Sequence, residues 1–75
     1  MLGDQMRRYR KQCGYSQKDL ASQLFVTQQA VGKWERGEAT PNPETVLKIA
    51  KILGITTDQL LGISALFPVT SHLIT

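Results

Sequence analysis

Between Ser16 and Gly37 the chain carries two short helical patterns either side of a tight break at Leu24–Thr27. Leu20, Ala21 and Leu24 recur at the i, i+1, i+4 spacing of one helix face, and Ala30, Val31 and Trp34 repeat it. The second pattern also has a clean polar stripe. At 100° per residue, Gln28, Gln29, Gly32, Lys33 and Arg36 fall within an arc of roughly 140°, opposite the apolar residues. A helix that buries one side and offers amides and cations on the other suits the edges of bases and their phosphates.

The size of the chain bounds what surrounds this pair. At 75 residues it is one domain, near the lower limit for folding unaided. A single cysteine excludes an internal disulfide. No apolar run approaches the ~18 residues of a membrane span, and no signal-peptide core is visible, so a cytoplasmic protein is expected. The net charge of +3 is unevenly placed. Arg7, Arg8, Arg10, Lys11, Lys18, Lys33 and Arg36 outnumber Asp4, Asp19, Glu35 and Glu38, whereas Lys48 and Lys51 merely balance Glu44 and Asp58. The excess positive charge therefore travels with the amide-bearing helix.

Taken in order, residues 4–13 read as a first helix with Met6, Arg10 and Cys13 on one face and Gly14 as its stop. Arg10 on an apolar face calls for an acidic partner, because a buried guanidinium is costly unless paired. Cys13 is expected to be buried as a small hydrophobe. Ser16 with Asp19 three residues on opens helix two as a variant capping box. The free N–H groups of that end, with Gln17 beside them, form a seat for a phosphate. Thr27 caps helix three in the same manner and places Gln28 and Gln29 in its first turn. Those residues reach furthest when a helix enters a groove N-terminus first. Glutamine can bond the N6 and N7 of adenine, worth roughly 1–3 kcal/mol of discrimination. Gly32, a poor helix former, reads either as permission for close approach or as tolerated drift.

Glu35 borders the stripe and the apolar face, which makes it the best available partner for Arg10. Gly37 ends the helix, 38–42 form a loop, and Asn42-Pro43 opens a fourth helix that runs to about Leu53. It is expected to bury Val46, Leu47, Ile49, Ala50 and Leu53. Thr56 with Gln59 opens a short fifth helix, Leu60 and Leu61 inward. Residues 1–61 thus form the domain. Residues 62–75 are apolar and uncharged apart from His72, and Pro68 forbids a continuous helix across them. That segment is expected to fold back on the core or to pack against a second subunit.

The run Ser-Gln-x-x-Leu-Ala-x-x-Leu-x-Val-Thr-Gln-Gln-x-Val-x-x-Trp-Glu-x-Gly from Ser16, followed by Ala50-x-x-Leu53-Gly54-Ile55 and Leu60-Leu61, resembles the Cro/phage-repressor helix-turn-helix family over residues 4–62. The resemblance implies an all-α, compact five-helix, lambda-repressor-like domain whose second and third helices form the DNA-binding unit. It implies that Gln17 touches a phosphate and braces Gln28, that Gln28 and Gln29 read bases, and that Lys33 is next along the groove. Ser16 caps the phosphate-facing helix, Thr27 and Arg36 would hold the DNA backbone, and Arg10 with Glu35 would form a buried ion pair. One departure stands out. Where the family commonly has glycine in the turn, this chain has Phe25, which is expected at positive φ with its ring at the surface, at a cost on the order of 1 kcal/mol.

The function expected is that of a sequence-specific regulator of transcription, a repressor of phage or bacterial type. It would bind double-stranded DNA through the major groove of a two-fold operator as a homodimer. The alternative keeps the fold and makes the chain an antitoxin or other interaction module whose C-terminal tail holds a protein partner. An enzyme is disfavoured. His72 lies in the tail, and no carboxylate pair, metal-ligand cluster or glycine-rich phosphate loop is present in the sequence, so no cofactor is expected.

Overall fold

The computed structural model describes residues 2–62; the expectations for 63–75, including those for His72 and the apolar tail, lie outside the described residues. Five helices make up the fold: α1 (Leu2–Gln12), α2 (Gln17–Leu24), α3 (Gln28–Arg36), α4 (Pro43–Leu53) and α5 (Thr57–Leu61). No strand occurs among the described residues.

Side-chain capping sets where most of these helices begin. Ser16, Thr27, Asn42 and Thr56 each sit in extended conformation, and each accepts a hydrogen bond from the backbone N–H three residues on. That bond satisfies one of the donors a helix leaves orphaned at its start. Pro43 follows the Asn42 cap, where its missing N–H costs nothing. Left-handed residues close the same helices: Gly37, Gly54 and Gly62, and at the end of α2 the non-glycine Phe25.

Every helix contributes to one core. Met6 comes from α1, Leu20, Ala21 and Leu24 from α2, Val31 from α3, Val46, Ile49, Ala50 and Leu53 from α4, and Leu60 from α5. Within it α3 packs on both α1 and α2, and α5 bridges α1 and α4. The crossing of α1 over the C-terminal end of α3 depends on Gly3. A Cβ there would stand 2.5 Å from the Glu35 carbonyl oxygen and 2.6 Å from that of Trp34.

Three side chains depart from their expected positions. Helix α1 starts at Leu2 and stops at Gln12, so Cys13 falls in the turn beyond it and is exposed, its thiol donating to the Leu53 carbonyl at 3.5 Å. Leu47 is 54% exposed, because the buried face of α4 is the i, i+3, i+4, i+7 set from Val46 and the next residue lies 100° away. Leu61, adjacent to buried Leu60, is turned outward by the same geometry.

Candidate nucleic-acid interface

A buried polar hub fixes α3 against its neighbours. Arg10 Nε donates to Glu35 Oε2 at 2.7 Å and Nη2 to Oε1 at 3.1 Å, while Nη1 donates to the Tyr15 carbonyl at 2.8 Å. Gln17 Nε2 donates to Glu35 Oε1 at 3.1 Å. The Glu35 carboxylate thus ties together α1, the first residue of α2 and the last turn of α3, and the Arg10 guanidinium adds the α1–α2 connection through Tyr15. Burial of both charges is sustained because the pair is bidentate and every guanidinium nitrogen has an acceptor. Gln17 Nε2 therefore braces Glu35.

The hub buries one side of α3 and presents the other. Val31 and Glu35 are buried, Ala30 and Trp34 half-buried, and Gln28, Gln29, Lys33 and Arg36 exposed. Gln17, Gln28, Gln29, Gly32 and Arg36 line a shallow, open concavity of about 290 Å³. Lys33 stands outside it. The two cap hydroxyls are engaged: Ser16 Oγ accepts from Asp19 N at 2.9 Å and Thr27 Oγ1 from Ala30 N at 3.1 Å. Each hydroxyl still has a proton to donate outward. In return Asp19 Oδ2 accepts from Ser16 N at 3.0 Å, and these bonds hold the Asp19 carboxyl below the usual carboxylate range.

Between the two helices Phe25 has φ 60° and ψ 41°, and its backbone N–H bonds back to the Ser22 carbonyl at 3.3 Å. Val26 N donates to the Ala21 carbonyl at 3.0 Å. The left-handed residue reverses the chain within a single step, which is what lets Thr27 start a new helix at once. A pair of short capped helices, the second carrying an exposed amide-and-cation stripe and locked by a buried ion pair, is the arrangement that a helix-turn-helix unit needs. A helix-turn-helix family profile matches residues 6–60. The chain belongs to the Cro/phage-repressor helix-turn-helix family.

Relatives and solved structures of this helix-turn-helix family agree. The chain is 43% identical over 61 residues to the SPbeta prophage-derived HTH-type transcriptional regulator YonR of Bacillus subtilis, covering 81% of this chain and 56% of the relative. It is 34% identical over 61 residues to the repressor protein C2 of Salmonella phage P22, covering 81% and 28%. The chain thus spans little more than half of the first relative and a smaller share of the second. In structure it is similar to the DNA-binding domain of the P22 c2 repressor in solution, with a TM-score of 0.77, 34% identity and coverage of 81% and 80%. It is also similar to SinR in complex with DNA, with a TM-score of 0.75, 31% identity and coverage of 81% and 98%. The five helices therefore adopt the lambda-repressor-like fold.

Two contributors escaped the sequence. Glu38 accepts from Arg36 Nε at 2.8 Å and from Nη2 at 3.3 Å, and Gly3 admits the α1–α3 crossing. Both sit in plain view in the chain, but neither has a periodicity or a motif to announce it. Among the described residues no group of His, Cys, Asp and Glu is arranged to hold a metal ion, and no helix is long and apolar enough to cross a membrane.

Proposed function

We propose that the protein is a transcriptional regulator that binds duplex DNA sequence-specifically as a two-fold dimer, with α3 of each subunit in a major groove. Half-sites would lie about 34 Å apart, one helical turn. The observation that carries this reading is the exposure of Gln28 and Gln29 together at the capped start of α3, beside the open concavity. Both amides are free to meet base edges, and the hub through Glu35 holds the helix that presents them. Lys33, exposed on the same stripe, follows along the groove.

The start of α2 supplies the backbone contact. Its first N–H groups have no intrahelical acceptor, the Ser16 hydroxyl accepts from that of Asp19, and Gln17 is the first residue of the helix. Thr27 adds a hydroxyl at the start of α3. Phosphate contacts fix the register while the glutamines specify sequence. The DNA-bound P22 c2 and SinR relatives support this reading, and the repressor name of the P22 protein favours repression by occupancy.

Selection of bound duplexes from a random pool, repeated with Gln28→Ala and Gln29→Ala, tests it. Each substitution is expected to erase preference at one base pair per half-site and to leave affinity for random duplex intact. An unchanged consensus in both variants would remove these glutamines from the reading surface.

A further inference from the structure

The reading face has a gap at Gly32, and another residue fills it. A Cβ built on Gly32 would stand 3.1 Å from Arg36 Nη1 and 3.8 Å from Arg36 Cζ. Arg36 lies one turn further along α3, and long helical side chains lean toward the N-terminus of their helix. Its guanidinium is therefore carried back over Gly32, into the concavity that Gln17, Gln28 and Gln29 share. What stands at position 32 of the stripe is the end of Arg36.

Glu38 grips one edge of that guanidinium, through Nε at 2.8 Å and Nη2 at 3.3 Å. A guanidinium has five N–H donors in a planar fork. With Nε and one Nη2 hydrogen held by the carboxylate, the Nη1/Nη2 edge keeps two parallel donors, and Nη1 is the atom over Gly32. That edge matches two acceptors side by side, such as N7 and O6 of guanine in the major groove. A carboxylate beside the cation also decides which acceptor gains. Paired with Glu38, Arg36 adds little net charge, so its attraction to a phosphate is largely cancelled, whereas the directional fork toward an uncharged base edge is retained and stiffened.

We propose that Arg36, given room by Gly32 and oriented by Glu38, reads a guanine in each half-site beside the base pairs met by Gln28 and Gln29. This rests on the DNA-binding reading and gives it a third specificity determinant, with Glu38 as a positioning residue. The same duplex selection, run with the wild-type protein, Arg36→Gln, Glu38→Ala and Gly32→Ala, tests it, each variant first checked by thermal melting.

The wild-type consensus is expected to contain a guanine whose preference falls roughly five- to a hundredfold in Arg36→Gln, with other positions unchanged. Glu38→Ala is expected to weaken that same preference by about two- to fivefold, the measure of an exposed pair, without lowering affinity for random duplex. Gly32→Ala, which displaces the guanidinium, should relax the same position. The proposal is overturned if Arg36→Gln lowers affinity uniformly across sequences and reduces the salt slope by about one, the signature of a phosphate contact. It is overturned equally if no guanine responds to Arg36 or Glu38 while Gln28→Ala and Gln29→Ala still alter the consensus. A wild-type protein that enriches no sequence at all overturns the DNA-binding reading as well.

Discussion

Phe25 carries the α2–α3 turn in a conformation that side chains avoid. Its ring is 94% exposed, so no burial offsets the roughly 1–2 kcal/mol by which a left-handed conformation disfavours an L-residue. Glycine would remove that strain but adds about 0.5–1 kcal/mol of unfolded-state entropy. Phe25→Gly is therefore expected to stabilise the fold modestly, by up to about 1 kcal/mol, and thermal melting measures it. A lowered melting temperature would show that the phenyl ring has a packing role. Gly3 presents the opposite case, since the atoms a methyl group would meet are backbone carbonyls that cannot rotate aside. Gly3→Ala should force α1 away from α3 and cost about 1–3 kcal/mol in urea denaturation. The strain at Phe25 was legible in the sequence, because the residue stands in a turn whose backbone requirement is local. The constraint on Gly3 was not, because the obstacle lies more than thirty residues away in the chain.

At the scale of the helices, Glu35 joins three segments, and its loss leaves Arg10 buried without a counter-charge. Glu35→Ala is expected to cost about 3–5 kcal/mol, against a far smaller change for the double substitution Arg10→Met with Glu35→Leu. Denaturant titration of the two variants separates the cost of an orphaned charge from the worth of the pair. The start of α2 responds to acid. The Asp19 carboxyl lies below the usual carboxylate range, chiefly through the Ser16 backbone N–H and then its hydroxyl. The Glu38 carboxyl is likewise lowered, first by its hydrogen bonds from Arg36. A depressed carboxyl contributes stability that is complete above its unfolded pKa, near 4, and is lost as pH falls through the lower folded value. Asp19→Asn should therefore flatten the acid limb of a stability-versus-pH curve below about pH 4 and leave the neutral region parallel to wild type. A limb of unchanged slope would mean that the capping box does not form in solution. The caps were readable from Ser16, Thr27, Asn42 and Thr56 because capping is settled within four residues. The outward turn of Leu47 and Leu61 was not, since an apolar residue at the margin of a stripe is placed by whatever packs beside it.

For the whole molecule the testable quantity is charge. The basic residues concentrate in the first half of the sequence, with α1, α2 and α3. If each subunit of the proposed dimer neutralises about three to four phosphates, log affinity should fall against log salt with a slope near −6. Fluorescence anisotropy with an operator duplex at several salt concentrations measures this. A slope near zero contradicts groove binding, and one near −3 indicates a monomer on DNA.

The order of the helices, the capped starts of α2 to α5, the polar stripe on α3 and the pairing of Arg10 with an acid were set by the sequence alone. Each follows from spacing along one helix or from the cost of an unpaired buried charge. Tertiary packing decided the rest. Only the folded chain directs Gln17 Nε2 to Glu35, leaves Cys13 beyond the end of α1, admits α1 over α3 at Gly3, and swings Arg36 over Gly32 into the grip of Glu38. Those outcomes depend on where separate helices meet and on which way long side chains lean. Periodicity carries no record of either.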